Sequence, residues 1–127
     1  MNKEPYETDY AKLEFIEGVL RGTFKAKKVT IDIAYKIVED RLMYSNNESV
    51  VILISDVGLR SIDREARDYL SSDQGLAGLK ASALLTNSAL SKHLANFFVS
   101  ITVRRPVIPT KVFSNETEAI EWLKQYI

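Results

Sequence analysis

VVILISDVGLRSIDREAR, residues 50–67, opens as an apolar strand and closes as a charged helix. Residues 50–54 are five consecutive branched apolar side chains, the composition of a strand covered on both faces, which suits a buried parallel position better than an edge. Ile62, Ala66, Tyr69 and Leu70 then recur at helical spacing. A strand that passes directly into a helix predicts an α/β fold with residues 50–54 as its central strand. The turn between them carries Asp56, Gly58, Arg60 and Ser61. In an open α/β sheet that turn lies where ligands and partners usually meet the protein, beyond the carboxyl ends of the strands.

Working outward, Ala11, Leu13 and Phe15 alternate with Lys12 and Glu14, and the pattern resumes over 19–25 after Glu17 and Gly18, which is a hairpin signal. Thr30 is placed to cap a helix running to about residue 44, stopped by the polar run SNNE. Gly75 stands where a left-handed residue would close the helix that follows the central strand. KASALLT, residues 80–86, reads as a strand, residues 88–103 as a helix broken by RRP and Pro109, and residues 108–113 as the last strand. Asn115 with Glu118 has capping-box spacing, and Ala119, Ile120, Trp122 and Leu123 form the apolar side of a final helix. The expectation is one domain over 1–127, with 1–9 a flexible segment. It is an α/β fold with a mixed five-stranded sheet, an N-terminal antiparallel hairpin and four helices.

The chain has 127 residues, 46% of them hydrophobic, with seventeen basic and seventeen acidic side chains. A zero net charge argues against the positive field that nucleic acid or an anionic membrane attracts. There is no cysteine, which excludes disulfides and thiolate metal sites. Residues 1–10 are polar and acidic, and no apolar run approaches the ~18 residues of a membrane span, so the expected location is the cytoplasm.

The hairpin with Glu17 and Gly18, VVILISDVGLRSIDREAR and TKVFSNETEAIEWLKQYI together resemble the STAS domains of anti-sigma-factor antagonists, and more closely their SpoIIAA-like relatives found as small stand-alone bacterial proteins. The resemblance covers most of the chain. It implies a bacterial regulatory module that binds a protein partner and has no catalytic activity. In the phosphoregulated antagonists the matching strand ends in Asp-Leu-Ser and leads to an Asp-Ser-Ser-Gly phosphoacceptor. Asp56, Val57 and Gly58 match its start, whereas Ser61, Ile62, Asp63 and Arg64 do not reproduce the acceptor.

Asp56, Arg60 and Ser61, with Thr86, Asn87 and Ser88 after the next strand, are the candidates for binding a partner or an anion. Capping of helix starts is the competing reading for the Ser, Asn and Asp residues. Arg60, Arg64 and Arg67 alternate with acids as on a solvated helix face, and Lys25, Lys27 and Lys28 read as a solvated cluster. His93 has no spacing to a serine and an acid that would make a nucleophile, and no metal-ligand pattern is present. Neither a metal nor a cofactor is expected. LANFFVSITV, residues 94–103, is apolar at almost every azimuth, so Leu94, Phe97 and Phe98 are assigned first to the core, second to a homodimer patch, and third to an apolar ligand pocket. That third reading is the alternative function: a carrier of a small apolar molecule or lipid, suggested by the likeness of STAS domains to CRAL-TRIO carriers.

Overall fold

Glu17 and Gly18 both have positive φ, +53° and +83°, the backbone of a two-residue primed turn that matches the twist of the strands it joins. The structure, a computed structural model, describes residues 3–86 and 108–127. The turn pairs β2 (Ala11–Ile16) with β3 (Val19–Phe24) antiparallel, from Ile16 opposite Val19 to Ala11 opposite Phe24. A sixth strand, β1 (Tyr6–Glu7), comes from the segment expected to be flexible and pairs antiparallel with Leu13 and Lys12. The five-stranded expectation is corrected to six because β2 offers a free edge, and Lys25 reaches across to the Glu7 carboxylate and the Thr8 carbonyl.

After β3 the chain forms β4 (Lys28–Val29), and Thr30 then caps α1 (Ile31–Tyr44), its hydroxyl accepting from the Ile33 N–H at 3.5 Å. Asn46 and Asn47, at φ +55° and +58°, turn the chain after the helix. The remaining elements are β5 (Val50–Asp56), β6 (Ser61–Ile62), α2 (Arg64–Leu70), β7 (Leu79–Leu85), β8 (Thr110–Phe113) and α3 (Glu116–Lys124). The sheet order is β1-β2-β3-β5-β7-β8, with β3, β5, β7 and β8 parallel, so β5 is interior as expected. Three helices fall among the described residues; the fourth expected helix, 88–103, lies outside them.

The pleat of β5 divides the core. Val51 and Leu53 face α3 together with Val19, Ala81, Ala83, Ala119 and Leu123. Ile52 and Ile54 face the opposite layer, where α1 and α2 bury Ala34, Val38, Ala66 and Leu70 against Phe24 and Leu84. Each fully buried leucine, such as Leu20, Leu53 or Leu123, contributes about 1.5–3 kcal/mol of transfer free energy. Trp122, on the apolar side of the final helix, is half-buried against the core and packs its ring on Phe113 and Tyr126.

Two local expectations are corrected. Ile62 lies in β6 and not in the helix, because Asp63, two residues beyond Ser61, is the N-cap of α2. Gly75 is not a left-handed cap, since α2 ends at Leu70 with Ser71 as its C-cap. It is glycine because an added Cβ would stand 2.2 Å from the Tyr69 carbonyl oxygen.

Candidate functional site at the carboxyl edge of the sheet

β3, β5, β7 and β8 all point their carboxyl ends to one edge. The turn after β5 is built by Asp56, whose Oδ1 accepts from the backbone N–H groups of Gly58 at 3.1 Å and Leu59 at 3.3 Å. Such an aspartate turn substitutes a side chain for the missing ladder. Gly58, at φ +108°, takes a backbone that other residues rarely adopt. The result lifts Val57 into solvent, 66% exposed, and drives Leu59 into the core beneath it. The Val57 N–H donates to the Phe24 carbonyl, fastening the turn to the neighbouring strand.

Arg60 and Ser61 both donate their backbone N–H groups to the Lys27 carbonyl, at 2.7 and 3.1 Å. This starts a two-stranded parallel ribbon, with Lys28 opposite Ser61 and Val29 opposite Ile62. Val29 and Ile62 are buried and anchor it, whereas Lys27, Lys28 and Arg60 are exposed. In the sequence, nothing connects the lysines to the turn. A two-residue strand shows no alternation to detect, so only their pairing joins them.

Asp56, Arg60 and Ser61 are therefore brought together in one turn, Asp56 as its internal brace, Arg60 exposed, and Ser61 half-exposed in the ribbon. Thr86 lies at the end of β7, half-buried, its N–H donating to the Phe113 carbonyl at 2.8 Å. Asn87 and Ser88, and the apolar candidates Leu94, Phe97 and Phe98, lie outside the described residues. Of the caps foreseen, Asn115 performs as expected, accepting from the Glu118 N–H at 3.0 Å.

Sequence reasoning missed a second polar group on the α3 side of the sheet. The hydroxyls of Thr23 and Ser55 meet at 3.4 Å on adjacent strands, and Arg21 pairs with Glu116 at 2.7 Å. These residues are far apart in the chain, so no spacing could reveal them. Among the described residues no group of three or more His, Cys, Asp or Glu side chains is arranged to hold a metal ion, and no helix is long and apolar enough to cross a membrane.

This architecture is the SpoIIAA-like fold. It is shared by an uncharacterized protein of the DUF3478 family from Shewanella loihica PV-4, with a TM-score of 0.58, 18% sequence identity, and coverage of 89% of this chain and 91% of that one. A protein with unknown function from Arthrobacter sp. FB24 aligns over 88% of this chain and 97% of its own at 26% identity, with a TM-score of 0.34. Residues 13–127 match the family described as Domain of unknown function (DUF7793), and the chain belongs to that family. No curated protein matches it.

Proposed function

We propose that this chain is a STAS-like binding module of bacterial signalling, a single domain without catalytic activity. It engages a protein partner through the carboxyl edge of its sheet. The observation that carries the reading is the β4–β6 ribbon, which joins exposed Lys27, Lys28 and Arg60 beside the exposed side chain of Val57. An exposed apolar side chain in the same turn as Arg60, with Lys27 and Lys28 on the segment paired to that turn, fits a partner whose contact surface is acidic, because complementary charge steers the encounter while the apolar contact supplies affinity. Ser61 is part of the same surface, with Asp63 and Glu65 following it. A phosphate there would add about −1.5 to −2 charge against those acids, so binding without phosphorylation is the favoured mode.

A photo-crosslinking residue at Val57, compared with one at exposed Met43 on α1, tests the reading in the source cell. A discrete protein adduct from position 57 that disappears with Arg60→Glu is expected. Equal adducts from both positions, or an adduct indifferent to Arg60→Glu, would overturn it.

A further inference from the structure

The six-stranded sheet ends in two edges, and they are built differently. The β1 edge is guarded: that strand has two residues, and Pro5 just before it has no N–H with which to prolong a ladder. β8 has four residues, TKVF, in unbroken parallel register with β7 and with no proline among them. Among the described residues nothing pairs with its outer side. An edge of that kind is a template for another strand.

The hydrogen bonds to β7 fix which groups face outward. Ser82 N–H donates to the Pro109 carbonyl at 2.9 Å and Thr86 N–H to the Phe113 carbonyl at 2.8 Å, so residues 109 and 113, and with them 111, turn their backbone groups toward β7. Backbone groups alternate in direction along a strand, which leaves the N–H and carbonyl of Thr110 and Val112 on the free side. The side chains alternate between faces as well. Val112 packs with the layer under α1 and α2, whereas Phe113 lies on the α3 face, its ring 5.6 Å from that of Trp122 and its centroid 5.3 Å from the Lys111 ammonium. Both Phe113 and Trp122 are only half-buried.

We infer that this edge pairs with the same edge of a second copy of the chain, antiparallel, with the two-fold axis at Val112. Outward-facing residues must meet outward-facing residues, and only two symmetric registers then keep at least three of the strand's four residues paired. An axis at Lys111 sets two ammonium groups directly opposite each other, which is unfavourable. An axis at Val112 lets the two Val112 residues exchange a pair of N–H···O bonds and sets Lys111 of each copy opposite Phe113 of the other, where its ammonium stays on an aromatic face. Charge thus selects the register. The contact is small, one edge strand and the rings beside it, which places it among weak, concentration-dependent associations. It is distinct from the β4–β6 ribbon, so it stands or falls independently of the partner reading.

The test is sedimentation equilibrium of the full chain over a concentration series reaching about 1 mM, where small interfaces associate. A reversible monomer–dimer equilibrium is expected. Val112→Pro deletes an N–H that β7 does not use, so it should keep the folded circular dichroism spectrum and abolish the dimer. Lys111→Glu makes the same test without touching the backbone: the side chain is exposed, and its reversal should weaken association about fivefold or more. In a mixture of isotope-labelled and unlabelled chains, nuclear Overhauser contacts should join Lys111 of one copy to Phe113 of the other. A chain that stays monomeric throughout the series would overturn the inference. So would a dimer undiminished in folded Val112→Pro or in Lys111→Glu, or intermolecular contacts that map to another surface.

Discussion

Asp56 Oδ1 holds the backbone N–H of Leu59 at 3.3 Å, and that bond sets the angle at which the Leu59 side chain enters the core. One carboxylate thus links the outer surface of the turn to the layer beneath. Asp56→Ala removes the acceptor from two backbone N–H groups and should cost about 1–2 kcal/mol, whereas Asp56→Asn, which keeps an acceptor oxygen, should cost distinctly less. Urea unfolding of the two variants checks the order; equal losses would mean that the charge, and not the turn geometry, matters.

Ser61 caps nothing, because the N-cap of α2 is Asp63. Ser61→Ala should therefore change stability by less than about 0.5 kcal/mol. Asn115→Ala, which removes a real cap bond to Glu118, should cost about 1 kcal/mol. The pair measured side by side in denaturant separates surface from capping roles at the two helix starts.

Gly75 and Gly58 are required for different reasons, and alanine at each position distinguishes them. At Gly75 the new Cβ would be 2.2 Å from backbone, so the chain must shift, and Gly75→Ala should lose several kcal/mol or fail to fold. At Gly58 there is open space and only the φ of +108° resists a side chain, so Gly58→Ala should cost about 1–3 kcal/mol and remain folded. Thermal unfolding followed by circular dichroism reads both.

The edge strand β1 is held by a pH-sensitive pair. The hydrogen bond from Lys25, and then its charge, hold the Glu7 carboxyl below the ordinary glutamate value. A carboxyl lowered in the folded state contributes stability above its unfolded pKa and loses it as pH falls through the lowered folded value. A carbon-detected NMR titration should place the Glu7 midpoint below that of a free glutamate, and Lys25→Met should move it up. An unmoved midpoint would show that the pair does not form in solution.

The order of the large elements was legible because each carries a local signal. Residues 50–54 are too apolar for an edge, Glu17-Gly18 can make the primed turn, and Thr30 and Asn115 have the side chains and spacing of caps. Those signals arise from hydrogen bonds and pleat within a few residues, and the chain needs no tertiary contact to display them. Tertiary structure alone brought Lys27 and Lys28 beside Arg60, since a two-residue ribbon exists only where Val29 and Ile62 are buried together. It alone buried Arg41 and Ser82 in the lining of one cavity, residues that the sequence separates by a helix, two strands and the connections between them. Burial and the partnering of polar groups depend on what the rest of the chain folds around them, and no local pattern encodes that.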